Sequence, residues 1–98
     1  MPLLFSADAV AASGTYDVNA AGAGPIRVFV TAKGGTLTSL SVKCGPDTSH
    51  LASVDSSVFN SLSANATGML WLDRPQDLIR LSGVGAQMDL RVSRYLSA

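Results

Sequence analysis

The sequence predicts an all-β protein with about seven or eight short strands. Stretches in which apolar and polar residues alternate recur at short intervals, separated by Gly, Pro, Asn or Asp, and this spacing is typical of a sandwich or a barrel. The 98 residues contain no Glu but abundant Gly, Ser, Thr and Val, so helix-forming residues are scarce. We expect one antiparallel β-sandwich domain over residues 13–98, preceded by an N-terminal arm over residues 1–12.

The first two strands are predicted on either side of a Gly- and Ala-rich segment, residues 19–24. Tyr16 and Val18 begin the earlier strand, and the later strand covers residues 25–33. In the later strand every second residue is apolar, as in a strand covered by a core on one face. These apolar residues are Ile26, Val28 and Val30.

A tight hairpin is predicted next, because Gly34 and Gly35 supply the positive φ angles that such a turn requires. The returning strand covers residues 36–44. Its inward face is expected to carry Thr38, Leu40, Val42 and Cys44.

The middle of the chain is less regular. Residues 45–49 form a strong turn signal that contains Pro46 and Asp47. A strand is predicted at residues 51–55. A weaker strand is predicted at residues 58–62, where the surrounding serines favour local hydrogen bonds over a ladder.

The segment at residues 68–73 contains four consecutive apolar residues, Met69 to Leu72. Both faces of such a strand must be covered. The cover is expected either within the chain or from a neighbouring subunit. After a turn, strands follow at residues 78–82 and 87–96, and we expect Arg94 to lie beyond the core edge, where its charge reaches water.

The charge content favours self-association. Charged residues make up 14% of the chain and the formal net charge is zero, so no long-range repulsion keeps copies apart. The seven basic residues are scattered, which argues against nucleic-acid binding. No apolar run is long enough to span a membrane, and residues 1–5 lack the basic region of a secretory signal.

No catalytic, cofactor-binding or metal-binding residues are predicted, and we do not expect an enzyme. His50 is the single histidine, and its sequence neighbours Asp47 and Ser49 lie too near to form a triad, which draws on distant segments. Cys44 is also alone, which excludes an intrachain disulfide and predicts a buried apolar side chain.

Six residues are candidate contacts with other subunits. Trp71 is expected to be packed, the alternative being that it stacks on a sugar ring, and Phe29 and Tyr95 are equally suited to stacking or subunit contacts. The arm is a candidate for strand addition to a neighbour through Leu3, Leu4 and Phe5.

The order of segments over residues 12–96 resembles the small jelly-roll decoration, or cement, proteins of tailed bacteriophages. The motifs that carry the resemblance are Ser13-Gly14-Thr15-Tyr16, Ile26-Arg27-Val28-Phe29-Val30, Leu40-Ser41-Val42-Lys43 leading into Gly45-Pro46-Asp47, Leu78-Ile79-Arg80-Leu81-Ser82-Gly83 and Leu90-Arg91-Val92. The resemblance implies a jelly roll and a homotrimer, or a dimer. It also implies binding to the major capsid protein on the outer capsid surface, hence a virion location after synthesis in the host cytoplasm.

A second hypothesis is a carbohydrate-binding or receptor-binding module of a fibre or a cell-surface protein. Both hypotheses describe a non-enzymatic β-module that acts through its surface. The role of Trp71 separates them, since a sugar-binding module presents an aromatic ring to its ligand.

Overall fold

The computed structural model describes residues 3–22, 24–73 and 77–94. Over these residues the chain forms eight strands and one turn of 3-10 helix, η1. They are β1 (Leu3–Ala11), β2 (Thr15–Asn19), β3 (Ile26–Lys33), β4 (Ser39–Gly45), β5 (Ala52–Val54), η1 (Ser57–Phe59), β6 (Thr67–Leu72), β7 (Leu78–Val84) and β8 (Gln87–Arg94). Within the described ranges, no helix has the length and apolar character needed to cross a membrane.

The strands form two four-stranded sheets. Sheet A has the order β1-β8-β3-β6, and sheet B has the order β2-β7-β4-β5. Every pair of neighbouring strands is antiparallel. Because the chain passes from one sheet to the other at every connection except β4 to β5, the arrangement is an eight-stranded jelly roll. The predicted antiparallel, jelly-roll-like sandwich is therefore confirmed.

The core lies between the sheets and follows the sequence alternation. Strands β3 and β8 each bury every second side chain, and β4 and β7 bury theirs from the opposite sheet. The predicted inward residues Leu40, Val42 and Cys44 are buried, whereas Thr38 lies before β4 and is exposed. The larger core side chains with less than 2% exposure include Ile26, Val28, Val30, Ile79, Leu81, Met88 and Leu90.

The hairpin predicted at Gly34 and Gly35 is wrong, because β3 and β4 belong to different sheets. The glycines do turn the chain, with φ angles of 71° and 151°. Beyond them, however, Leu37 is fully buried and forms an isolated bridge with Leu62. The burial of Leu37 carries the chain across the core to sheet B, and β3 pairs with β6 and β8 instead.

Within the predicted N-terminal arm over residues 1–12, residues 3–11 form β1, the edge strand of the chain's own sheet A. Phe5 lies opposite Val92 on β8, and Leu4 and Phe5 pack against the core. A kink at Ala9, with φ 52°, lets its N–H donate to the Asp89 carboxylate at 2.7 Å. Leu4 and Phe5 therefore have partners within the chain, whereas Leu3 is 54% exposed.

The strand predicted at residues 58–62 is also wrong, because the segment contains the 3-10 turn η1. The Asp55 carboxylate accepts a hydrogen bond from the Ser57 N–H at 3.0 Å, and the Ser56 hydroxyl donates to the Leu40 carbonyl at 2.5 Å. The first bond is local and the second reaches β4, so the serines of this segment form hydrogen bonds outside a strand ladder. The turn places Phe59 in the core, where it is fully buried.

The position predicted for Arg94 is wrong as well, because its side chain is buried rather than in water. Its guanidinium donates to the carbonyls of Gly24, at 3.0 Å, and of Ala20. Both carbonyls belong to the connection between β2 and β3, where glycine and alanine have no polar side chains. Arg94 therefore closes one end of the sandwich by binding the backbone that crosses it.

Candidate functional site

The two outer faces of the sandwich differ in chemistry. The outer face of sheet B carries mainly hydroxyl and charged side chains that alternate with the buried core residues. They include Thr15, Asp17, Ser41, Lys43, Arg80 and Ser82. A face of this composition is typical of a solvated surface.

Asp17 and Arg80 are paired across β2 and β7 on this face. The Arg80 Nε and Nη2 atoms donate to the two Asp17 carboxylate oxygens at 2.7 and 3.0 Å. The hydrogen bond from Arg80 lowers the pKa of Asp17 below its ordinary value. The folded state therefore favours the ionised carboxylate.

This pair predicts a pH dependence of stability. Because the folded-state pKa of Asp17 is depressed, its contribution is present above the unfolded-state pKa of about 3.9 and is lost as the pH falls through the folded-state value. Asp17→Asn should therefore reduce the loss of stability between pH 5 and pH 2 in urea unfolding curves. An equal loss of the free energy of unfolding in the two proteins between pH 5 and pH 2 would contradict this contribution of the Asp17–Arg80 pair.

The outer face of sheet A carries a compact apolar and aromatic cluster on two neighbouring strands. In the register of β3 with β6, Arg27 lies opposite Trp71 and Phe29 lies opposite Met69. These four residues alternate with buried or core-packed ones and so project outward. We refer to Arg27, Phe29, Met69 and Trp71 as the aromatic face.

A cation–π contact orders the aromatic face. The guanidinium carbon of Arg27 lies 4.6 Å from the centroid of the Trp71 ring, within the range of an attractive interaction. Met69 is 43% exposed, while Arg27, Phe29 and Trp71 are partly buried. The rings are therefore held in place and yet accessible from one side of the sheet.

Polar groups border the aromatic face. In the next row of the sheet, the hydroxyls of Thr31 and Thr67 are 2.7 Å apart and form a hydrogen bond. Beyond them, Lys33 pairs with Asp89 at 3.8 Å. An apolar surface with hydroxyl and charged groups along its border suits a ligand that has both C–H surface and hydroxyl groups.

Arg91 lies on the other side of Phe29 in the sheet. It contacts the Asp8 carboxylate at 2.6 Å and donates to the Leu90 and Ala7 carbonyls at 2.8 and 3.3 Å. These contacts tie β8 to β1. The arginine therefore supports the sheet beside the aromatic face.

The structure brings some of the six candidate contacts together and separates the others. Phe29 and Trp71 share the aromatic face, where Trp71 packs against Arg27 as well as being accessible. Leu3 is 54% exposed and lies opposite Ser93, on the far edge of the same sheet. Leu4 and Phe5 pack against the core. Tyr95 lies outside the described residues.

Sequence reasoning missed Arg27 and Met69 as parts of this site. The alternation of residues 25–33 places Arg27 on the face opposite Ile26, Val28 and Val30, and this is the signal that the sequence offers. Its partner across the sheet depends on the pairing of β3 with β6, two strands separated by two elements of sheet B. Short-range patterns carry no information on that pairing.

The histidine region has the geometry of a turn. His50 is largely exposed, and its Nδ1 lies 2.8 Å from the Asp47 carboxylate, which also accepts from the Ser49 N–H at 2.9 Å. Hydrogen bonds from His50 and from the backbone lower the pKa of Asp47. Among the described residues, no group of three or more His, Cys, Asp or Glu side chains is arranged to hold a metal ion.

Comparisons with known proteins give the fold class. No known protein family and no curated protein matches the sequence. The solved structure described as the CBM32 of AlyQ in complex with 4,5-unsaturated mannuronic acid is similar, with a TM-score of 0.59 and 17% identity, over 94% of this chain and 76% of that chain. A putative α-L-fucosidase from Bacteroides thetaiotaomicron is similar with a TM-score of 0.56 and 7% identity, over 96% of this chain and 22% of that chain.

At these identities the likeness shows the fold alone. The chain is a β-sandwich module with a fold similar to that of a carbohydrate-binding module. It spans about a fifth of the length of the fucosidase chain. A shared fold does not determine what a chain binds.

Proposed function

We propose that this chain is a non-catalytic carbohydrate-binding module and that the aromatic face is its binding surface. The observation that carries the proposal is the position of Trp71 and Phe29 on neighbouring strands of one outer face. The opposite outer face of the sandwich is mainly polar. Aromatic rings offer flat apolar surface on which the C–H groups of a sugar ring stack.

The contacts within the aromatic face prepare it for binding. The Arg27 guanidinium restricts the Trp71 ring before a ligand arrives, so less conformational entropy is lost on binding. The paired hydroxyls of Thr31 and Thr67 lie one row away, where they offer hydrogen bonds to sugar hydroxyls. The surface thus combines stacking with polar contacts that orient the ligand.

The comparison with solved structures agrees with this proposal. The structurally similar CBM32 is described in complex with 4,5-unsaturated mannuronic acid. A sugar is therefore bound by a protein of similar fold. The proposal for this chain rests on its own aromatic face.

The test begins with a glycan array and continues with calorimetry on the sugars that bind. Trp71→Ala should weaken binding by about tenfold, which corresponds to about 1.4 kcal/mol, because the main stacking surface is lost. Phe29→Ala should weaken it as well. Ser41→Ala, on the polar face of sheet B, serves as the matched control and should leave the affinity unchanged.

An unchanged affinity in Trp71→Ala, with both proteins folded, would contradict the proposed binding surface. The absence of any bound sugar on a broad array would contradict the proposed function itself. Unchanged affinity in Trp71→Ala would indicate a binding site elsewhere on the sandwich. An array without any bound sugar would favour a protein ligand.

A capsid decoration subunit is the second candidate function. One observation favours it: Leu3 is 54% exposed and Met69 is 43% exposed, at opposite edges of sheet A. Apolar groups so far apart suit a broad protein surface better than a single sugar ring. Co-sedimentation with purified capsid shells that is lost in Leu3→Asp would support this candidate, whereas no co-sedimentation would contradict it.

A further inference from the structure

We propose that two copies of this chain associate edge to edge through β6, related by a two-fold axis, so that their A sheets join into one eight-stranded sheet. This proposal goes beyond the binding function and does not depend on it. The surface concerned is the edge of sheet A, and the partner is a second copy of the same chain.

The four edge strands of the sandwich differ in how they are protected from pairing. A short edge, a charge or an irregularity in the ladder each discourages the addition of another strand. β5 has three residues, β2 has five and carries Asp17, and β1 carries Asp8 and has two irregularities in its pairing with β8. β6 has none of these features.

β6 is a regular, uncharged edge. It pairs with β3 over all six residues, Thr67–Leu72, without a break in register, and it contains neither proline nor a charged residue. Among the described strands, none lies beyond β6 in sheet A. Such an edge is a template for a further strand.

The backbone of Met69 points toward this open side. The Ala32 N–H donates to the Ala66 carbonyl at 3.1 Å, in the register that continues along β3 and β6. Residues along an antiparallel strand alternate in the direction of their backbone hydrogen bonds. The N–H and C=O groups of Gly68 and Leu70 therefore point toward β3, and those of Met69 point away from it. Met69 is also 43% exposed.

A second copy fits this edge in size. With the two-fold axis at Met69, the two Met69 residues lie opposite each other, and the three larger residues that follow each lie opposite a small residue of the other copy. The pairs are Leu70 with Gly68, Trp71 with Thr67 and Leu72 with Ala66. A large residue opposite a small one favours close packing between the two β6 strands. A two-fold contact also uses the same patch on both copies.

Two further features favour a second copy as the occupant. The carbonyl of Val58 in η1 lies 3.4 Å from the position of a Cβ on Gly68, and the Val58 side chain is 44% exposed. In the proposed register, Leu70 of the second copy lies opposite Gly68, so the second copy approaches the segment that contains Val58. The formal net charge of zero leaves no net repulsion between copies.

The mass of the full chain in solution, measured without any sugar, tests the proposal. Light scattering at about 50 µM should give twice the protomer mass of 10.1 kDa. Met69→Lys should weaken the association at least tenfold, because it places a charge at the centre of the joined edges. Val84→Lys, which replaces an apolar residue with 59% exposure away from β6, should remain a dimer.

A wild-type monomer or trimer would overturn the proposal, and so would a Met69→Lys variant that dissociates at the same protein concentration as the wild type in a dilution series.

Register is tested separately with Met69→Cys in a Cys44→Ala background. In the proposed register the two Met69 Cα atoms are about 5.5 Å apart, which a disulfide can bridge. Oxidation should give a cross-linked dimer with Met69→Cys and none with Leu3→Cys, and the reverse would overturn the register. Because no sugar is present, failure of this proposal is distinguishable from failure of the binding function.

Discussion

Replacing Arg94 with methionine should lower the free energy of unfolding by about 3 kcal/mol. The Arg94 side chain is buried and donates to the carbonyls of Ala20 and Gly24. Methionine keeps much of the volume but donates no hydrogen bond. Two carbonyls at the end of the sandwich would then lose the donor that satisfies them.

Arg91→Met is the matched control for this substitution. Arg91 also donates to backbone carbonyls and lies on the same strand, but its side chain is 40% exposed. Water can replace its contacts, so the expected loss is below about 1 kcal/mol. Urea unfolding of the two variants measures the difference. Equal losses would show that burial of Arg94 does not anchor the connection between β2 and β3.

Gly45→Ala should lower the free energy of unfolding by about 2–3 kcal/mol. A Cβ built on Gly45 lies only 2.0 Å from the carbonyl oxygen of His50. The clash is with backbone, so no side-chain rotation relieves it. The end of β4 and the connection to β5 must move apart, which disturbs the pairing of Cys44 with Ala52.

Gly34→Ala separates this clash from the general effect of losing a glycine. Gly34 has a φ of 71°, and the nearest atom to its Cβ position is 3.6 Å away. The expected loss is therefore about 1 kcal/mol, from backbone conformation alone. Thermal or urea unfolding compares the two variants, and a smaller loss in Gly45→Ala than in Gly34→Ala would contradict the close approach of residues 45 and 50.

The alternation of apolar and polar residues was enough to predict which faces of most strands are buried. Ile26, Val28 and Val30 have this pattern, and the structure buries all three. Alternation is a local property, because neighbouring side chains of a strand point to opposite faces. The fold class and the core followed from it.

Pairing between strands was not predictable in the same way. Gly34 and Gly35 allow a hairpin, but Leu37 is buried and forms a bridge with Leu62, and the chain then enters β4 of the other sheet. Arg94 is a similar case, since its carbonyl partners lie about 70 residues earlier in the sequence. Such long-range contacts override local signals.

The candidate site was predictable in its parts. Phe29 and Trp71 were recognised singly, from their aromatic character and their strands. Their common face requires β3 to pair with β6 in one register, and a shift of one residue would turn Trp71 toward the core. The stacking of Arg27 on Trp71 depends on the same register.

Intrinsic fluorescence tests most directly whether the aromatic face binds carbohydrate, because Trp71 is the single tryptophan of the chain. Titration with a sugar selected on the array should change the Trp71 emission in a saturable way, with the affinity found by calorimetry. Phe29→Ala should shift the same titration to higher sugar concentration. Binding by calorimetry that leaves the Trp71 emission unchanged would contradict a site at the aromatic face.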